Sequence, residues 1–362
     1  MDGIVADRSV APTPDEVEVS LIGPGYGECV LVHFGHGAWI VVDSCIDVRT
    51  RRPVALDYLE SLALDPEVVR LVVATHWHDD HIRGLAEVIR AAPKARLVVS
   101  TALRSEELAT LVSFVEPRMM ERSSGVAELA AIYAHLQETR SPLEFAAPDR
   151  RLWRPAGKLR RAVWSLSPSD RSIEIALQGI AKLVDDPQLP NRRVPSLQPN
   201  HTAVVLWCEL PEVAVLLGSD LENTEDEQTG WRAILASTAR PDGRSAIFKV
   251  PHHGSVTGHN PEVWSELLEA DVISVTTPFV HGRTHLPTPA DRSRIASLSS
   301  AAYLSSDTPA TTASWTPPVA STIQEATITI RDAEPHPGHI RLRRPVSGGA
   351  WTVELFSGAV QV

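Results

Sequence analysis

Residues 76–81 read His76-Trp77-His78-Asp79-Asp80-His81, and the rest of the chain is best read outward from them. The hexapeptide follows the apolar run Val69-Arg70-Leu71-Val72-Val73-Ala74, which predicts a buried strand. Leu85, Val88 and Ile89 then recur at helical spacing, so a helix is expected just beyond it. Three imidazoles and two carboxylates therefore crowd one strand-to-helix turn. Imidazole nitrogens and carboxylate oxygens are the donors that hold zinc, iron or manganese. Without a cation to neutralise them, so many titratable groups in an apolar setting would be costly. The stretch is read as a metal site.

Upstream, residues 17–22 and 28–34 predict strands separated by the turn Gly23-Pro24-Gly25-Tyr26-Gly27. Ala38–Val42 predicts another strand and delivers Asp43 at its end, giving an antiparallel meander. Pro53 opens a helix carrying Leu56, Leu59 and Leu62. Downstream of the motif, a strand is expected at Arg96–Ser100. From 101 to 162, Leu108, Leu111, Val112 and Val115, then Leu129, Ile132, Tyr133 and Leu136, have helical spacing and predict a helical insertion. Strands are expected again at 164–167, Ala203–Cys208, Val213–Leu217, 247–250 and Val272–Thr276. Helices are expected around Ile173–Val184, Trp231–Ala236 and Val263–Leu268. Alternation at Thr327–Arg331, His339–Arg343 and Trp351–Phe356 predicts a small terminal sheet, a β-rich extension over 302–362. The whole, 1–362, reads as one layered α/β domain whose strand ends carry polar residues.

A chain of 362 residues with 43% hydrophobic and 22% charged residues can bury a substantial core. No run is apolar for long enough to span a bilayer, so no membrane insertion is expected. Residues 1–18 lack the pattern of a signal peptide, and Cys29, Cys45 and Cys208 are too few and scattered for a disulfide framework. A reducing cytoplasm is the expectation. The net charge of −11 disfavours a surface that grips nucleic acid all over, because such binding is driven by basic patches that release the counterions of the phosphates. One local exception is Arg150, Arg151, Arg154, Lys158, Arg160 and Arg161, six basic residues within twelve, with Trp153 and Trp164 close by. Basic residues interleaved with aromatics suit backbone contact and base stacking; the other reading is a solvated loop rim.

The polar residues at the expected strand ends are Asp43, the 76–81 cluster, His201, Asp220, His252, His253 and His285. Together they resemble the metallo-β-lactamase superfamily. His76, His78, Asp80 and His81 meet its His-x-His-x-Asp-His pattern, with Asp79 at the variable position. Asp43 matches the family's early aspartate, Asp220 its bridging aspartate, and His253 its last ligand histidine. Within the superfamily, Gly25-Tyr26-Gly27-Glu28-Cys29, Lys249-Val250-Pro251-His252-His253-Gly254-Ser255 and His285 before Pro287 look most like the hydrolase domain of ComEC-type DNA-uptake proteins. Two departures are Cys45, where the family often has glycine, and His201, where ComEC-type members often have asparagine or serine.

The resemblance implies a four-layer αββα sandwich and two divalent ions, zinc in the first instance, with manganese or iron accepted by the same donors. One ion would be held by His76, His78 and His201, the other by Asp80, His81 and His253, with Asp220 shared and Asp43 orienting a ligand histidine. If His201 is only a polar strand residue, the first position is weaker. Catalysis would be attack by metal-bound hydroxide oriented by Asp80, with His252 or His285 assisting the leaving group. The expected activity is a phosphodiesterase or nuclease on DNA or RNA. The alternatives are hydrolysis of a small-molecule, lipid or cell-wall ester, and a metal-loaded effector that acts only with a protein partner, as in a bacterial defence system.

Overall fold

A computed structural model of the chain describes residues 7–23, 26–103, 124–157, 159–184, 198–307 and 337–362. The expected meander is present: β1 (Glu16–Gly23), β2 (Cys29–His33) and β3 (Trp39–Val42) pair antiparallel in sequence. Three parallel strands follow, β4 (Val69–Ala74), β5 (Arg96–Ser100) and β6 (Leu143–Ala146). The second sheet runs through β7 (Arg150–Trp153), β8 (Ala162–Ser165), β9 (Leu206–Leu210), β10 (Val213–Leu217), β11 (Ser245–Lys249) and β12 (Leu268–Thr276). A separate hairpin, β13 (Phe279–His281) and β14 (Thr284–Leu286), precedes β15 (Ala301–Leu304), which joins the second sheet. The chain closes with β16 (Gly338–Pro345), β17 (Thr352–Phe356) and β18 (Val360–Gln361).

Packing on the two sheets gives four layers. Alternate residues of each strand face opposite ways. Val17, Val19 and Leu21 of β1, with Ile40 and Val42 of β3, meet Leu206, Cys208, Val215 and Ile247 of the other sheet. Trp39 and Val41 face outward onto α1 (Val54–Ser61), a second helix after the motif's own short turn α2 (Asp79–Ile82), namely α3 (Leu85–Ala91), and α4 (Ser124–Thr139). Beyond α5 (Asp170–Val184), the outer face of the second sheet is covered by α6 (Gly230–Ala236), α7 (Pro261–Glu266) and α8 (Pro289–Leu298), through Trp231, Ile234, Val263 and Ile295. This is the αββα order that was expected.

Two expectations are corrected. The stretch 101–162 is helical over α4, but Leu143–Ala146 pairs with β5 and Arg150–Trp153 forms the edge of the second sheet, so these residues belong to both main sheets. The helical spacing at Leu108–Val115 lies outside the described residues. The terminal strands also make no sheet of their own. β16 lies along β1, whose backbone would otherwise be an open edge, β17 follows it, and β18 pairs with β15 in the other sheet. Thr327–Arg331 lies outside the described residues. Among the described residues, no helix is long and apolar enough to cross a membrane.

A candidate metal centre at the carboxyl ends of two sheets

β3, β4, β10, β11 and β12 all run into the same end of the sandwich, and their carboxyl ends deliver Asp43, His76–His81, Asp220, His252–His253 and Thr277. Getting there bends the backbone. Asp43, Ser219, His252 and His253 have φ of 59°, 46°, 49° and 51°, a left-handed region that non-glycine residues avoid. Such departures gather at functional sites because the surrounding structure must hold them. The Glu28 N–H donates to Asp80 O (2.9 Å) and the Ser44 N–H to His81 O (2.7 Å), pinning the motif turn to the first sheet.

Asp80, His81, Asp220 and His253 are all buried, with one donor atom from each within 4.8 Å of the others. His253 Nε2 lies 3.1 Å from Asp80 Oδ2 and 3.3 Å from Asp220 Oδ2; His81 Nε2 lies 3.3 Å from Asp220 Oδ2 and 3.6 Å from Asp80 Oδ2. A tetrahedral ion with bonds of about 2.1 Å separates its donors by about 3.4 Å, close to these four histidine-to-carboxylate distances. The other ring nitrogens are already committed. His81 Nδ1–H donates to Asp43 Oδ2 (2.8 Å), and His253 Nδ1–H donates to the Thr277 carbonyl (3.1 Å). Each Nε2 is therefore aimed at carboxylate oxygens, and His81 Nε2 is buried without a hydrogen-bond partner. A cation is what such a set accommodates.

The electrostatics agree. Burial lowers the basicity of His253, yet Asp220 and Asp80 outweigh it and push the imidazole up to about 10. His81 is likewise raised, against burial, by Asp220, Asp80, Glu28 and Asp43. The surrounding carboxylates favour positive charge here, which a divalent ion would supply in place of protons. His76 and His78 behave oppositely: burial keeps both imidazoles below their ordinary range, with neighbouring histidines adding to it. Their facing atoms, His76 Nε2 and His78 Nδ1, are 3.2 Å apart, which suits two neutral donors to one ion.

Asp43 holds the His81 ring. Its Oδ1 accepts the Thr75 N–H at 2.7 Å, and its Oδ2 accepts Thr75 Oγ1–H at 2.7 Å besides His81. Asp79 turns away and accepts the Gly125 N–H at 2.6 Å, near the start of α4. His201 is not brought in. Its Nε2 lies 3.6 Å from Glu222 Oε2, and its side chain is 32% exposed. Residues 199–202 form one 3₁₀ turn, in which neighbours point about 120° apart, and it is Asn200 that turns inward. Asn200 Nδ2 lies 3.3 Å from His252 Nε2, while His252 Nδ1 lies 2.8 Å from Glu222 Oε1. His252 is thus a half-buried group held at the rim by Glu222.

His285 also moves out of the site. It pairs with Val280 across the β13–β14 hairpin, and cross-strand partners share a face. Phe279 and His281 occupy the other face, with the Phe279 ring 5.1 Å from that of His253 and 5.5 Å from Tyr26. The basic run is divided as well. Arg161 is buried and donates to Phe34 O (3.3 Å) at the far end of the sandwich, and Arg160 is paired with Glu209 (2.6 Å). Trp153 is buried against Phe34, at 5.0 Å. Lys158 lies outside the described residues. Arg150, Arg151 and Arg154 are exposed, with Arg151 over the Trp164 ring at 5.5 Å.

Glu28 and Lys249 lie inside the motifs quoted above but carried no expected role there, and Glu222 and Thr277 lie outside them. Lys249 Nζ lies 2.5 Å from Glu28 Oε1 beneath the cluster, a buried pair linking the two sheets. A charged residue just before one apolar strand and another at the end of a second was the available signal.

The model of the metallo-β-lactamase superfamily matches residues 22–276, most of the chain. The chain belongs to the metallo-β-lactamase superfamily. Solved structures similar to it include the metallo-β-lactamase-fold protein YhfI from Bacillus subtilis, at 12% identity, 80% of this chain, 95% of that one and a TM-score of 0.41. The metallo-β-lactamase SMB-1 is matched at 14% identity over 68% of this chain and 82% of its own, with a TM-score of 0.34. A Cronobacter sakazakii metallo-β-lactamase mutant is matched at 15% identity over 59% of this chain, with a TM-score of 0.32, and the match spans 65% of that enzyme's length. No curated protein matched the chain. Membership makes the protein one of a superfamily of metal-dependent hydrolases, with a His/Asp cluster suited to metal binding.

Proposed function

We propose that this superfamily member is a metal-dependent phosphodiesterase acting on DNA or RNA. The observation that carries the metal reading is the buried set of Asp80, His81, Asp220 and His253, with one donor atom of each within 4.8 Å of the others. In this reading it holds one ion, zinc first by spacing, and His76 with His78 holds a second. Divalent ions in such a set supply a nucleophile from water at neutral pH and polarise the scissile group. This reading needs no cysteine nucleophile, and burial pushes the thiols of Cys29, Cys45 and Cys208 up, away from the reactive thiolate. Asp43 keeps the His81 ring turned toward the ligand position, and Glu222 keeps His252 at the rim, where it can contact substrate.

The nucleic-acid version rests on the ComEC-type motifs and on exposed Arg150, Arg151 and Arg154. The pairings Arg150↔Ser165, Ser165↔Leu206 and Leu206↔Leu217 place Arg150 three strands from the strand that delivers Asp220. That is roughly 14 Å at about 4.8 Å per strand, a reach suited to a polymer's flanking phosphates and too long for the scissile one. Burial of Arg161 and pairing of Arg160 favour the second reading, a small-molecule ester. A panel of single-stranded and duplex DNA and RNA, small phosphodiesters, thioesters and lactams, each with zinc or manganese, separates the two. Metal-dependent cleavage of nucleic acid that His78→Ala abolishes is expected; turnover of an ester with every phosphodiester inert would overturn the reading.

A further inference from the structure

Beneath the ligand set lies a cation that the metal chemistry does not itself require. Lys249 ends β11 and is 1% exposed. Its ammonium donates to the Ser219 carbonyl at 2.8 Å, sits 2.5 Å from Glu28 Oε1 and lies 3.5 Å from Asp220 Oδ1. Glu28 in turn accepts the Thr277 hydroxyl through Oε2, and the Thr277 carbonyl accepts from His253. The two oxygens of Asp220 therefore face different charges. Oδ2 looks at the ligand nitrogens of His81 and His253, 3.3 Å away in each case, and Oδ1 looks down at the ammonium.

We propose that Lys249, held by Glu28, is a positioning residue that restricts Asp220 to a single metal-facing oxygen and so makes the site selective for a four-coordinate ion. The inference rests on Asp220 being a metal ligand. An ion that prefers six oxygen-rich positions gains from a carboxylate binding through both oxygens, whereas tetrahedral zinc does not. The ammonium stands 3.5 Å from Oδ1, an ion-pair distance at which Oδ1 still has no hydrogen-bond partner, and its charge disfavours turning that oxygen onto the ion. The ammonium also offsets part of the negative charge that Glu28, Asp43, Asp80 and Asp220 concentrate in one buried place.

The test is titration of zinc and, separately, manganese into metal-stripped protein, with circular dichroism confirming the fold. Lys249→Met is expected to bind zinc about 10- to 100-fold more weakly, the range for losing a group that orients a ligand. Its preference for zinc over manganese should narrow by a similar factor, while Lys249→Arg, which keeps the charge, retains most of both. Glu28→Gln releases the ammonium without removing it and should fall between wild type and Lys249→Met; it decides the matter if Lys249→Met does not fold. Folded variants with wild-type zinc affinity and unchanged metal preference would overturn the proposal. No substrate enters this measurement, so an inert enzyme on nucleic acid leaves it intact, and failure here leaves the phosphodiesterase reading to its own assay.

Discussion

Asp43 works from behind the ligand set. Both its oxygens are taken by Thr75 and by His81 Nδ1, so it fixes the ring that must present Nε2. Asp43→Asn is expected to weaken zinc binding about 10- to 100-fold while the protein stays folded, measured by competition with a chelator. His201 is the opposite case: His201→Ala should leave the zinc stoichiometry of the purified protein unchanged, because its ring pairs with Glu222. Loss of an ion in that variant would restore His201 to the ligand set. The gathering of single residues was legible where a motif sets both type and spacing, as in His76, His78, Asp80 and His81. It was illegible at positions 200 and 201, because which of two adjacent side chains turns inward depends on the start of one 3₁₀ turn.

Turns and hairpins decide how those residues meet. Gly27 has φ +104°, and a Cβ there would meet Cys45 Cβ at 2.6 Å and Asp80 O at 3.1 Å. Gly27→Ala should cost about 1–3 kcal/mol by denaturant unfolding and weaken metal binding, since the strain falls on the residues that carry Glu28 and Asp80. Equal unfolding midpoints would show that the turn yields freely. The β2–β3 hairpin carries a pH response. Burial holds His33, which accepts the Gly37 N–H at 3.0 Å, down to about 4 against an unfolded value of 6.5. Between those values the unfolded chain binds the proton and the folded one does not. Stability is therefore full above pH 6.5 and falls as pH drops toward 4. His33→Gln should flatten that part of a stability-against-pH curve, and an unchanged slope would contradict the assignment. At this scale the meander, the motif strand and α4 followed from apolar period. β6 and β7 were read as part of a helical insertion, because four residues each are too few for a strand period to register, and the terminal strands were misplaced because period tells that a segment is a strand and not which edge it joins.

Across the whole molecule, a net charge of −11 is set against three exposed arginines on one sheet edge. If that edge guides a polymer, Arg150→Gln, Arg151→Gln and Arg154→Gln together should raise KM for single-stranded DNA or RNA and leave turnover of a small phosphodiester unchanged. An equal effect on both substrates would place the arginines in a structural role. The four-layer order follows from strands that are apolar on both faces, and the superfamily match over 22–276 agrees with it. The most direct measurement on the account as a whole is elemental analysis of purified wild type beside His253→Ala. Divalent metal bound to the wild type, with at least one ion per chain lost in the variant, is the predicted result. The same metal content in both proteins would contradict the metal centre described above.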